Sequence, residues 1–159
     1  MTDAKPGEVF LRDVTDDDLP IFFEHQRDPV ANEMADFPAR DREAFMAHWK
    51  KIAADASNVR MTVVFRGQVA GNVVCWGPPE DRAVGYWIGR EYWGKGIATR
   101  ALASLLPLLE TRPLYAHVAQ HNVASIRVLQ KCGFTIVGKD KVTSLSGSEV
   151  EEVILKLDA

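Results

Sequence analysis

Apolar residues recur along this chain with two different periods, and the switches between them mark its elements. Residues 9–14 (VFLRDV) read as a first strand. Thr15 followed by three aspartates is a helix start, because a threonine N-cap and acids in the first turn satisfy and complement the open N–H groups there. That helix is expected to end at Asp28, since Pro29 disfavours helical backbone in the residue before it. A second helix spans residues 41–56, with Phe45, Trp49 and Ile52 near helical spacing. Three strands follow, at 60–65, 69–76 and 82–89. Arg66–Gly67–Gln68 makes a hairpin of the first two, and Gly77–Asp81 is a loop before the third.

Next comes a turn with Gly94 and Gly96, then a long apolar helix. Its buried stripe is expected to be Ile97, Ala101, Leu102, Leu105, Leu106 and Leu109. Pro107 lies inside it, cannot donate to the carbonyl of Ala103 and clashes there, so a kink or an end is expected near 104–106. A strand at 113–120, a helix at 122–132 stopped by Gly133, and closing strands at 134–142 and 149–157 complete the order. The order β-α-α-β-β-β-α-β-α-β-β predicts a single α+β domain over 1–159, with a mostly antiparallel sheet and helices packed on it.

Composition adds limits. The 159 residues can bury a substantial core. Nineteen Lys and Arg against 22 Asp and Glu leave a net charge of −3, which argues against a nucleic-acid partner. No apolar run approaches a membrane span, and the polar stretch 1–8 has no signal-peptide core, so a cytoplasmic protein is expected. Cys75 and Cys132 sit in apolar contexts and read as free thiols. No metal-ligand spacing occurs, and no metal is expected.

The glycine turn holds the candidate chemistry. Gly94-Lys95-Gly96-Ile97-Ala98-Thr99 has Thr where a dinucleotide fingerprint needs its third glycine, and no P-loop spacing is present. A helix start whose side chains are kept out of the way can still hold a phosphate on backbone N–H groups. A tight turn that binds nothing fits these residues equally well.

The stretch 92–102 (YWGKGIATRAL) closely resembles the acyl-CoA-binding motif of the GNAT acetyltransferase superfamily, Q/R-x-x-G-x-G/A, with Trp93 in the Q/R position. Residues 122–134 (NVASIRVLQKCGF) resemble the second motif of its ribosomal-protein N-terminal (Rim-type) branch. Weaker matches lie at 27–34 and 84–89. The resemblance implies the GNAT fold: six to seven strands, about four helices and a splayed central strand pair.

It also implies an acetyl-CoA-dependent N-acetyltransferase in which a neutral primary amine attacks the thioester directly. Trp93, Gly94, Lys95, Gly96, Ile97, Ala98 and Thr99 would cradle the pyrophosphate. The strand carrying Trp87, Ile88 and Gly89 would pair with pantetheine, with an N–H near Ile88 facing the oxyanion. Asn122 would contact pantetheine or simply cap its helix. Ser125 would protonate the leaving thiolate or be a satisfied hydroxyl; the tyrosine many relatives carry further along that helix is replaced by Leu129 and Gln130.

Met34 and Phe37, in the loop joining the early helices, would touch the acceptor. Rim-type relatives often carry a glutamate where Ala83 and Val84 stand, so the base is open among Glu80, Asp81, His117, His121, His25 and His48. Trp49 reads as core, and Arg100 and Lys131 as exposed. The acceptor would be a protein N-terminus or a small-molecule amine, and the state a monomer or homodimer. A coenzyme-A-sensing module without turnover is the alternative.

Overall fold

The computed structural model describes Lys5, residues 7–143, Gly147 and residues 149–158; part of the polar N-terminal stretch lies outside them. The strands are β1 (Val9–Asp13), β2 (Val59–Phe65), β3 (Gln68–Trp76), β4 (Ala83–Ile88), β5 (Leu114–Ala119), β6 (Thr135–Thr143) and β7 (Glu149–Leu157). The helices are α1 (Leu19–Gln26), α2 (Pro29–Ala35), α3 (Arg42–Ala54), α4 (Ile97–Leu105) and α5 (Val123–Lys131). The seven strands form one sheet in the order β1-β2-β3-β4-β5-β7-β6, antiparallel except at β4–β5.

α2 corrects the expected loop between two early helices. Pro29 does end α1, but it also stands at the first position of the next helix, where its missing N–H costs nothing. The Asp28 carboxylate caps α2 by accepting from Val30 N–H at 2.9 Å. Asp36, at φ 51°, closes it in the left-handed region. Met34 is therefore helical and Phe37 lies just past the helix end.

α4 behaves as its sequence dictates. All six stripe residues are buried, and the α-helix stops at Leu105, giving way to a 3-10 turn over Leu106–Leu108 around Pro107. α4 and α5 cover one face of the sheet, where Ile97, Leu102, Leu105 and Leu129 pack on Val73, Val84, Leu114 and Leu155. α1 and α3 cover the other, where Phe22, Phe23, Phe45 and Trp49 pack on Val69 and Val74. Trp49 is core, and both cysteines are free thiols.

The start of α1 is held by a buried carboxylate. Thr15 and Asp18 form a capping box, and a 3-10 turn over Asp16–Asp18 leads into α1. Asp18 accepts two bonds from the Arg12 guanidinium, at 2.7 and 2.8 Å, one from Thr15 N–H at 2.9 Å and one from the Thr62 hydroxyl at 2.7 Å. Burial pushes this carboxyl up, but those donors together outweigh it and hold the pKa at about 2. Depression below the usual range means the ionised form is favoured by the fold. Its contribution, about 2 kcal/mol, is full above pH ~4 and is lost as pH falls toward ~2. Asp18→Asn is expected to remove about that much stability at pH 7 and to flatten this part of the acid-denaturation curve, as read by urea melts across pH.

Candidate active site

The sheet opens between β4 and β5. These strands are parallel and bridged at a single pair, Ala83 with Tyr115, where Tyr115 N–H donates to Arg82 C=O at 2.8 Å. Beyond it β4 stays with β3 and β5 with β7, leaving a wedge-shaped gap. Alternation decides which groups face it. Arg82 C=O points toward β5 and Gly89 N–H toward β3, where it donates to Ala70 C=O at 2.9 Å. The backbones of Tyr86 and Ile88 therefore face the gap, whereas those of Trp87 and Gly89 face β3. Of the expected run Trp87, Ile88 and Gly89, the gap receives the backbone of Ile88 alone, with Tyr86 beside it.

At the wide end of the gap the chain turns through Gly94 and Gly96, at φ 74° and 75°. Side chains rarely adopt that backbone, so glycine at both points is a conformational requirement. Gly96 is the N-cap of α4, and Arg100 N–H is the first to reach back, to Gly96 C=O at 3.2 Å. The N–H groups of Ile97, Ala98 and Thr99 thus belong to the open first turn, where the helix dipole is positive. Lys95 flanks them half-buried, and Arg100 is exposed. Trp93 folds back, its indole N–H donating to Ile88 C=O at 2.8 Å. That bond occupies the last gap-facing carbonyl of β4 and leaves the Ile88 N–H.

α5 starts beside the gap. Asn122 caps it, with Oδ1 accepting from Ser125 N–H at 3.3 Å, and the amide's two N–H donors have no partner among the described residues. Ser125 Oγ lies 2.8 Å from the Tyr86 hydroxyl. Tyr86 was not singled out in the sequence. The signal was its place two residues before the buried Ile88, which puts its side chain on the α5 side of the strand.

The other face of β4 carries Gly85, Trp87 and Gly89. Trp87 Nε1 donates to His25 C=O at 3.2 Å, and Phe37 meets the Trp87 ring edge-on at 6.2 Å, beneath Arg40. Met34 is exposed on α2. His121 Nε2 lies 3.0 Å from Glu33 C=O, tying the end of β5 to α2. His117 sits on β5 opposite the core-facing Ala116 and Val118, so it shares the Trp87 face across the gap. Its Nδ1 is 3.8 Å from Glu152 on β7. Glu80 and Asp81 lie in the exposed 3-10 turn at the closed end of the gap, away from its mouth. His48, half-buried on α3, is pushed down by burial and by Arg40 and Lys51. Lys131 is exposed.

His25 is buried, its Nδ1 has no partner among the described residues, and burial lowers its pKa against the pull of Glu91 and Glu24. Its ring fills the space where Gly89 would carry a side chain: a Cβ there would lie 2.6 Å from His25 Cδ2. Gly89→Ala must therefore displace the His25 ring from its buried place between α1 and β4. It is expected to cost about 1–3 kcal/mol in a denaturant melt.

A sheet parted between two parallel strands, with a glycine turn and an open helix start at its mouth, can take an extended ligand along a strand edge and an anionic end on backbone N–H groups. The chain belongs to the acetyltransferase (GNAT) domain family, whose model matches residues 8–135.

A curated relative is YdaF of Bacillus subtilis (strain 168), whose name carries a provisional ribosomal N-acetyltransferase assignment. It is 28% identical over 105 residues, covering 62% of this chain and 57% of that protein. The aligned region thus spans little more than half of YdaF. Among solved structures, RimL, a ribosomal L7/L12 alpha-N-protein acetyltransferase in complex with coenzyme A, superposes with a TM-score of 0.81 at 18% identity, covering 96% of this chain and 94% of that one. The spermidine N-acetyltransferase of Vibrio cholerae, with CoA and spermine, gives 0.80 at 18%, covering 95% of each. These likenesses establish the GNAT fold expected from the two motifs, splayed strand pair included.

Proposed function

We propose that this chain transfers the acetyl group of acetyl-CoA to a primary amine, and that its preferred acceptor is an α-amine such as a protein N-terminus. The observation that carries this reading is the gap between β4 and β5, with an open helix start at its mouth and Ser125 beside it. The N–H groups of Gly94 to Thr99 hold the pyrophosphate, with Trp93 and Lys95 flanking. Pantetheine runs along β4 as an added strand against Ile88 and Tyr86, with Asn122 donating from the α5 side. The Ile88 N–H faces the thioester oxygen as negative charge develops on it.

The amine nitrogen attacks the carbonyl carbon from the Trp87 face, where Phe37 and Met34 border the acceptor. The carbon–sulfur bond then breaks, its electron pair goes to sulfur, and Ser125 donates to that sulfur. His117, on the acceptor face beside Glu152, takes the proton of the acceptor's ammonium form before attack; the second proton, shed by the nitrogen as the amide forms, passes to solvent, and sulfur leaves as the thiolate.

The α-amine preference follows from proton cost. At neutral pH a lysine-like amine costs roughly 4 kcal/mol to deprotonate and an α-amine about 1 kcal/mol. An exposed histidine is adequate for the second. Similarity to RimL and YdaF supports the same class. The expected setting is cytoplasmic, as a monomer or homodimer without nucleic acid; no helix among the described residues is long and apolar enough to cross a membrane. The test is ligand-dependent stabilisation followed by turnover. Acetyl-CoA at ~100 times its Kd should raise stability by about 2.7 kcal/mol. Peptides with a free N-terminus should then release CoA faster than spermidine or N-blocked lysine peptides do. No thermal shift with millimolar acetyl-CoA would overturn the reading, and equal rates with every amine would overturn its acceptor preference.

A further inference from the structure

The hydroxyl of Ser125 does not stand alone. Tyr86 reaches it from β4, across from α5, with oxygen to oxygen at 2.8 Å. The two residues are 39 positions apart and lie on opposite walls of the gap's α5 side, so the contact belongs to the tertiary structure. Its direction follows from chemistry. A phenol is a stronger O–H donor than an aliphatic alcohol. Burial pushes the Tyr86 pKa up to about 12 against the pull of the Ser125 bond, which keeps that proton in place. A raised pKa keeps the phenol protonated and leaves either hydroxyl able to donate at this distance; the greater acidity of a phenol over an alcohol is what assigns Tyr86 O–H as donor and Ser125 Oγ as acceptor.

A serine hydroxyl has one proton and two lone pairs. With Tyr86 donating into one lone pair, the Ser125 proton has to point away from Tyr86. A helical serine otherwise tends to turn its proton back onto a carbonyl of the preceding turn. Asn122 meanwhile fixes the Ser125 backbone through its cap bond. Resting on the reading of Ser125 given above, we infer that Tyr86 is a positioning residue for the leaving group: it orients and polarises the Ser125 hydroxyl so that its proton is offered to the sulfur of coenzyme A. No proton leaves Tyr86. When the carbon–sulfur bond breaks, the electron pair goes to sulfur, Ser125 donates a hydrogen bond to it, and the Tyr86 phenol strengthens that bond from behind.

The measurement is the thiol pKa of bound coenzyme A, followed by thiolate absorbance of the complex across pH, with the free protein subtracted for Cys75 and Cys132. It needs no acceptor. A free thiol titrates near ~8.5, and the parent complex should titrate about one pH unit lower. Ser125→Ala and Tyr86→Phe should each return most of that shift, and the double variant should go no further than Ser125→Ala alone. Affinity for CoA should stay within about threefold of the parent in each case. Tyr86→Phe removes one oxygen and keeps the ring, and its melting temperature confirms the fold. If Tyr86→Phe titrates like the parent while Ser125→Ala does not, the inference about Tyr86 fails and the role of Ser125 stands. If the two effects add, Tyr86 acts independently and the inference again fails. If Ser125→Ala titrates like the parent, or CoA does not bind, the reading beneath it fails as well.

Discussion

Gly96→Val should lower acetyl-CoA affinity at least a hundredfold, about 2.7 kcal/mol, in a calorimetric titration. Two effects combine at this position. Gly96 sits at φ 75° as the N-cap of α4, a conformation in which a β-branched residue is an outlier. In the proposed reading its missing side chain also leaves room for a phosphate to reach the N–H groups of Ile97, Ala98 and Thr99. Backbone strain by itself costs on the order of 1–3 kcal/mol of stability, so the variant should fold with a lowered melting temperature. The discriminating comparison is Gly77→Val. Gly77 is likewise at positive φ (98°) but follows β3 at the closed end of the gap, against Asp81, and should lose stability without losing affinity. Equal affinity loss in both would assign the effect to general destabilisation.

The second large effect is expected at His117. Glutamine there keeps size and polarity but cannot take a proton. kcat/KM for a peptide N-terminus should fall about 10²-fold at neutral pH, the lower end of what general base catalysis contributes. The deficit should narrow as pH rises through the pKa of the acceptor amine, because a free amine no longer needs the base. Glu152→Gln should give a smaller loss, since Glu152 lies 3.8 Å from the ring and acts only on its protonated form. An unchanged kcat/KM in His117→Gln would leave proton removal to water. A loss independent of pH would make His117 a packing residue for the acceptor.

The parts of this molecule that were legible in the sequence are those governed by local rules. The α4 stripe and its end at Pro107 follow from helical period and a missing N–H. Thr15 could be read as a cap because capping depends on residues a few positions away. Pro29 shows the limit of such rules, since the same residue terminates one helix and starts another. The carboxylate of Asp28, turned onto Val30, caps that second helix.

Long-range juxtapositions were not legible. The glycine turn could be recognised by its resemblance, but nothing local to β4 or β5 says that they part after one bridge. Gly89 looked like one more member of a strand, and its requirement comes from the His25 ring on α1. The family resemblance places a tyrosine on α5, where Leu129 and Gln130 stand in this chain. The phenol of Tyr86 instead reaches Ser125 from β4, 39 residues earlier in the chain.

Acetyl transfer itself is the most direct test of the proposed function. Purified chain, acetyl-CoA and a panel of free-N-terminus peptides, polyamines, amino acids and aminoglycosides should be incubated together. CoA release and acceptor mass are then followed in parallel. One CoA should be released per acetyl group gained on an amine nitrogen, fastest with an α-amine and at least a hundredfold slower in Gly96→Val at subsaturating acetyl-CoA. CoA release that never exceeds the acceptor-free background across that panel, with acetyl-CoA binding intact, would contradict the proposed function.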